Sequence, residues 1–209
     1  VYIQACSIIL PDTQIRDGKM LLSQKGKEIY NVAFLFGPDG KVLGQQKKVH
    51  LIDLEGPAGL DIVPASVDDI QAIDTPLGKV GIAICLDAFH EDVLDRLVRE
   101  GAQILLQPSA NPEEWSLGQR EDWLRGSYTA VMKDERFRYA VNPMMTGDIF
   151  DLGFYGQSSI ISRVTDTAPT NYEGLPPTDG FAALARTDRD EEILVVKVPN
   201  PAQMTLRSE

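Results

Sequence analysis

Residues 78–92, GKVGIAICLDAFHED, climb through an apolar run to Cys85 and then break at once into charge. A cysteine at the carboxyl end of a strand, just ahead of a helix, sits where open α/β sheets bind ligands. The helix that starts near His90 turns its positive end toward that point and favours thiolate over thiol. That is a nucleophile's position. It is also a common position for an inert packing cysteine, so Cys85 alone leaves both readings open. A second segment, GQQKKVHLIDLEGP (44–57), puts Lys47 and Lys48 at the end of a strand, with Glu55 seven residues after Lys48. A solvated edge strand accounts for Lys47 but not for the apolar Val-His-Leu that follows the pair. Where an alternating strand puts one lysine out, it puts the neighbouring lysine in. His50 and His90 allow a third reading, a Cys–His hydrolase, although nothing in the sequence points to an orienting Asn or Asp.

The composition narrows the choices. A formal charge of −11 over 209 residues opposes a phosphate-binding surface, whose affinity comes from Lys and Arg displacing counterions, and opposes an anionic membrane. No nucleic acid and no membrane are therefore expected as partners. No apolar run approaches the roughly 20 residues needed to span a bilayer, and the first residues lack a basic-then-apolar leader pattern. The two cysteines, Cys6 and Cys85, and the two histidines lie far apart, with no CxxC or HxxxH spacing. No metal and no other cofactor are expected, and a Cys6–Cys85 disulfide is disfavoured in the cytoplasmic, reducing setting this implies.

The elements that must position these residues read as one α/β domain, 1–209. Strands are predicted at 1–10, 28–36 and 41–49, the last two joined as a hairpin through GPDG. A polar loop is expected between the first two. A second hairpin is read around PLG, from DIQAIDT and GKVGIAIC. Val93, Leu94, Leu97 and Val98 share a helical face that Gly101 stops, and AQILLQPS (102–109) follows as a buried strand. A longer helix is predicted from about Ser116 to Glu135. RFRYAVNP, SSIISRV, FAALART and EILVVKV read as strands, and 166–180 as a loop. About nine strands and two helices would leave one sheet face open, so either a second sheet covers it or part of the protein is absent.

In their order and spacing, YNVAFLFGPDGKVLGQQKKVHL…E, GKVGIAICLDAFHEDVLDRLVREGAQILLQPSA, RYAVNPMMTG and GQSSII resemble the nitrilase superfamily of carbon–nitrogen hydrolases along nearly the whole chain. The resemblance implies a four-layer α-β-β-α sandwich, a homodimer or higher homo-oligomer, and a Glu–Lys–Cys catalytic set. Cys85 matches the nucleophile, Lys48 the catalytic lysine, and Glu55 the second glutamate, which supports the site. The implied chemistry is hydrolysis of a small amide or nitrile through a thioester, with Lys48 and the backbone N–H of Leu86 holding the oxyanion. Asn111 and Trp115, just after the strand–helix–strand unit, are candidates to line the substrate pocket, and Trp115 is equally placed for the core or an interface.

The departures matter as much. The family's general-base glutamate ends a strand well before the segment that 1–10 resembles. Asp12 lies too close to Tyr30-Asn31 to replace it, because a helix and a strand belong in that gap. The expectation is a chain without the family's N-terminal strands and helices, unable alone to complete the cycle. Ala88-Phe89-His90-Glu91 stands where an arginine or asparagine often precedes an aromatic-Pro-Glu, which opposes an N-carbamoyl amino acid substrate. Cys-Leu-Asp, rather than Cys-Trp-Glu, leans toward amides over nitriles. The alternative of a different class is a catalytically inactive, nitrilase-like binding or assembly protein.

Overall fold

The computed structural model describes residues 2–22, 26–149, 151–163 and 180–203, apart from the side chains of 5–8 and 203. Five strands come first: β1 (Ile3–Pro11), β2 (Thr13–Arg16), β3 (Lys19–Leu22), β4 (Ile29–Phe36) and β5 (Val42–Lys47). Then come β6 (Val80–Ile82), α1 (Glu91–Arg99), β7 (Ile104–Leu106), α2 (Leu117–Trp123), α3 (Thr129–Met132) and β8 (Tyr139–Asn142). Strands β9 (Gly147–Ile149), β10 (Leu152–Phe154), β11 (Ser159–Ser162) and β12 (Phe181–Leu184) complete the set.

Two sheets stack. One is antiparallel in the order β1-β4-β5, and the other runs β12-β11-β8-β7-β6, with β6, β7 and β8 parallel and β8, β11 and β12 antiparallel. Strand β4 is apolar on both faces, so both of its faces are covered. Ala33 and Leu35 pack against Val80, Ile82 and Ile84 between the sheets. Val32 and Phe34 face outward under Val42 and Ile15. Helices cover the other face of the larger sheet, where Val93, Leu97 and Val131 meet Leu105, Ala140 and Ile161. Each large aliphatic or aromatic side chain buried this way contributes roughly 1.5–3 kcal/mol. The described residues thus form a helix–sheet–sheet stack, a mixed α/β arrangement that agrees with most of the expected sandwich.

The structure departs from the sequence reading in five places. The expected polar loop after β1 contains the β2–β3 hairpin, which turns at Asp17-Gly18 with φ of 52° and 72°, a left-handed pair that Asp-Gly suits. The second expected hairpin shrinks to one bridge, Ile73 to Val80. The long helix is broken, because Leu124–Tyr128 forms a π turn with Gly126 at φ −83°, ψ −125°. The side chain of Gln107 enters that break and accepts from the Ser127 N–H (3.3 Å). A short hairpin, β9–β10, stands at 147–154 where no element was read. Finally, 192–198 carries no regular secondary structure and makes no ladder among the described residues, with Ile193 91% and Val195 86% exposed. The sequence alternates there, but no strand among the described residues pairs with it. Most of the 166–180 loop lies outside the described residues.

Gly81 sets the distance between α1 and the strand that leads to Cys85. A Cβ at this position would stand 2.9 Å from Leu97 Cδ2 and 3.1 Å from Ala102 Cβ. Gly81→Val is therefore expected to lower the unfolding free energy by about 1–3 kcal/mol through overpacking, as measured by urea denaturation.

Candidate active site

Lys48 follows β5 directly, and its N–H donates to the Asn31 carbonyl (2.8 Å), which extends the pairing with β4. As the alternation predicts, the two lysines point apart. Lys47 reaches Asp12 and lies over the Tyr30 ring at 4.0 Å, whereas Lys48 is only 3% exposed. Its Nζ donates to Glu55 Oε2 at 2.5 Å. Glu55 sits on a short 3-10 turn, Asp53–Glu55, and is itself buried. Its Oε2 also accepts from the Ile52 N–H (3.0 Å) and its Oε1 from Asn31 Nδ2 (2.7 Å). A buried ion pair persists only where such bonds offset the loss of hydration.

Cys85 ends the β6 segment and opens a 3-10 turn, Cys85–Phe89. Its φ is 52°, in the left-handed region that a non-glycine residue rarely occupies. Held strain of this kind gathers at functional sites. The strand end is pinned by the Cys85 N–H to the Pro108 carbonyl (2.9 Å) and by Gln107 Nε2 to the Cys85 carbonyl (3.1 Å). Sγ contacts the Ala110 carbonyl at 3.9 Å. Burial pushes the thiol pKa up, against the opposing pull of Lys48 and of the Leu86 backbone N–H. The sequence reading expected the helix to favour thiolate; α1 does start at Glu91, next to the expected His90, but desolvation of the thiol outweighs it. Cys85 is a free cysteine; the side chain of Cys6, on β1, is not described.

Asp87, to which the Cys-Leu-Asp motif gave no structural role, ties the two strand ends together. It is 1% exposed. It accepts from the His50 N–H at 2.7 Å, from the Val49 N–H at 3.2 Å and from the Ile84 N–H at 3.3 Å. One carboxylate thus holds the residues next to Lys48 against the residue before Cys85. Burial pushes its pKa up to about 6, against these N–H groups and Lys48. The only available sequence signal was a carboxylate two positions after the cysteine.

The cleft at Cys85 has a volume of about 380 Å³, and its lining includes Leu86, Phe89, Asn111, Trp123, Asp53 and Glu113. Cys85, Leu86 and Asn111 therefore line one cleft, whereas Lys48 and Glu55 are not in its lining but lie close enough to Cys85 to act electrostatically on its thiol. Trp115 does not line the cleft. It is 4% exposed and donates from Nε1 to Gln157 Oε1 (2.9 Å) within the core. The histidines do not line it either. Their rings stack on each other at 3.7 Å, and His50 Nε2 bonds Asp92 at 3.0 Å, which removes the geometric basis of a Cys–His pair. Among the described residues, His50, His90 and Asp92 are the one group whose donor atoms, all within 4.8 Å of one another, could converge on a metal ion. It stands outside the cleft.

With the site assembled, comparison with known proteins gives the class. The carbon-nitrogen hydrolase family model matches residues 13–171, and the chain belongs to that family. Mouse omega-amidase NIT2 is 30% identical over 112 residues, covering 49% of this chain and 41% of its own. The Xenopus laevis omega-amidase NIT2-A is 32% identical over 102 residues, covering 44% of this chain and 37% of its own. A carbon-nitrogen hydrolase from Helicobacter pylori superposes with a TM-score of 0.58 at 18% identity, over 88% of this chain and 59% of that one. Saccharomyces cerevisiae Nit3, of the nitrilase superfamily, superposes with a TM-score of 0.55 at 26% identity, over 74% of this chain and 52% of its own. The chain therefore spans about half the length of its solved relatives and less of the curated ones.

Two outcomes test this architecture. Glu55→Ala leaves a buried ammonium unpaired and should cost about 3–5 kcal/mol of stability in urea unfolding. The double change Lys48→Met/Glu55→Leu should recover much of that loss. Asp87 titrates in the opposite sense to an ordinary paired carboxylate. Its folded pKa, about 6, lies above the ordinary 3.8, so its contribution is complete below about pH 4 and is lost as pH rises through 6. Between those values the stability of the wild type should fall relative to Asp87→Asn, by up to about 1.4 kcal/mol per pH unit.

Proposed function

We propose that this protein hydrolyses a small amide, in preference to a nitrile, through a thioester on Cys85. The observation that carries the reading is the left-handed Cys85 on the cleft wall, with the buried Lys48–Glu55 pair close enough behind it to act on its thiol. Sγ attacks the carbonyl carbon, and the developing oxyanion is held by Lys48 Nζ and the Leu86 N–H. The C–N bond breaks, the leaving ammonia or amine takes the thiol's proton, and water then cleaves the thioester. Glu55 is committed to Lys48, Asn31 and Ile52, so its role is to hold the ammonium. A separate carboxylate, from outside the described residues, relays the protons. Asn111 lines the acyl path. A cytoplasmic homodimer acting on a small-molecule substrate, with neither metal nor organic cofactor, belongs to the same proposal, and a free catalytic thiol suits a reducing compartment.

The raised thiol pKa favours a second reading, a binding protein that keeps the site without using it. Ammonia release from a panel of short linear amides separates the two. Under the first reading Cys85→Ala abolishes release, and Lys48→Ala lowers kcat/KM by roughly a hundredfold or more, about 3 kcal/mol, while circular dichroism remains that of the folded protein. Undiminished release by Cys85→Ala would remove the hydrolase.

A further inference from the structure

The proposed hydrolysis leaves one group of chemically capable side chains unused. His50, His90 and Asp92 each offer a donor atom, and these atoms lie within 4.8 Å of one another. His50 belongs to the bend that follows Lys48, whereas His90 precedes α1 and Asp92 lies in its first turn. None of the three lines the cleft at Cys85. Backbone bonds fix all of them. The His50 N–H donates to Asp87 Oδ1 (2.7 Å) and the His90 N–H to the Asp87 carbonyl (3.2 Å), so one buried residue sets both histidines. Asp92 Oδ1 accepts from the Val93 N–H (2.8 Å), which orients the carboxylate.

A simple surface pair accounts for part of this cluster. His50 Nε2 stands 3.0 Å from Oδ1 and 3.1 Å from Oδ2 of Asp92. His90 is not accounted for in that way. Its ring stacks on His50 at 3.7 Å and 10°, and among the described residues no hydrogen bond reaches its ring nitrogens. His90 also stands at a departure from the family pattern, in the place of the proline of aromatic-Pro-Glu, so the fold does not itself demand a histidine there.

We propose that His50, His90 and Asp92 form a binding site for a divalent transition-metal ion of the zinc type. Two imidazoles and one carboxylate suit Zn²⁺, Co²⁺ or Ni²⁺, whereas Mg²⁺ and Ca²⁺ take oxygen ligands. Donor atoms about 2.1 Å from a tetrahedral ion lie roughly 3.4 Å apart, so the three must draw together by on the order of 1 Å. None of the three side chains is fully buried, which makes that movement cheap, and coordination positions remain for water. The ion joins the segment that carries Lys48 to the helix that follows Cys85. It stabilises the folded arrangement without entering the cleft, and takes no part in the proposed hydrolysis.

The test is calorimetric titration of Zn²⁺ into metal-free, untagged Cys6→Ser/Cys85→Ala protein, because thiolates would compete for the ion. Saturable binding should appear that excess Mg²⁺ does not displace. His90→Gln and Asp92→Asn should each weaken it by more than the roughly 10–100-fold that loss of a supporting group costs, with circular dichroism unchanged. Absence of saturable binding, displacement by Mg²⁺, or binding that His90→Gln leaves intact overturns the site. A second readout needs no variant. The chain has two histidines in all, and saturating Zn²⁺ should slow their carbethoxylation by diethylpyrocarbonate roughly tenfold or more, as expected when the ion occupies their ring nitrogens. Modification at an undiminished rate overturns the inference and leaves the hydrolase reading standing.

Discussion

The buried ion pair between Lys48 and Glu55 is the constraint on which the rest of the site depends. An ammonium at 3% exposure is tolerable only beside a carboxylate, and that carboxylate only with its remaining lone pairs used. Asn31 from β4 and the Ile52 N–H supply those bonds. The pair thus joins the end of β5, the middle strand of the small sheet and the following 3-10 turn. Replacing both partners with apolar groups of similar size would cost little stability, so stability does not explain their presence. Under the proposed hydrolysis, a fixed positive charge near the thiol does.

Placing the thiol in front of that charge requires the two sheets to be in register at their carboxyl ends. The apolar contacts of Ala33 and Leu35 with Val80, Ile82 and Ile84 are non-directional and set only the spacing of the sheets. Direction comes from two buried polar side chains. Asp87 holds the backbone on both sides of the gap. Gln107 holds the Cys85 carbonyl with one end of its amide and the broken helix with the other. Bonds of this kind can hold Cys85 in its left-handed conformation, since a lone residue would relax out of it at a gain of order 1–3 kcal/mol.

Features of this structure were legible in the sequence where their cause is local. The β4–β5 hairpin follows from Asp39-Gly40, the strand–helix–strand run from periodicity and Gly101, and the inward turn of Lys48 from alternation past Lys47. Features with a distant cause were not legible. The break at Gly126 is filled by a glutamine from β7's end and by Phe89, which no helical window contains. The alternating pattern of 192–198 reads as a strand, but a sequence pattern cannot supply a pairing neighbour. The β2–β3 hairpin announces itself only by Asp17-Gly18, because Thr-Gln-Ile-Arg and Lys-Met-Leu-Leu lack the alternation of a half-buried pair. Trp115 was placed near the pocket by chain position, and the core claimed it through Gln157.

The least legible feature was the state of the thiol, a balance of opposing terms. Helix position and a nearby lysine both argue for thiolate, and burial outweighs them. The balance has a chemical consequence. Thiolate, not thiol, reacts with oxidants and stray electrophiles, so a cysteine held as thiol is quiet until a proton acceptor and a polarised carbonyl are both at hand. In the proposed hydrolysis, the ammonium that does not ionise the resting thiol acts on charge that exists only during reaction, on the carbonyl oxygen. Interactions realised in the transition state and absent from the resting site are the ones that accelerate a chemical step. A buried, ion-paired Lys48 that leaves Cys85 protonated is therefore compatible with a catalyst.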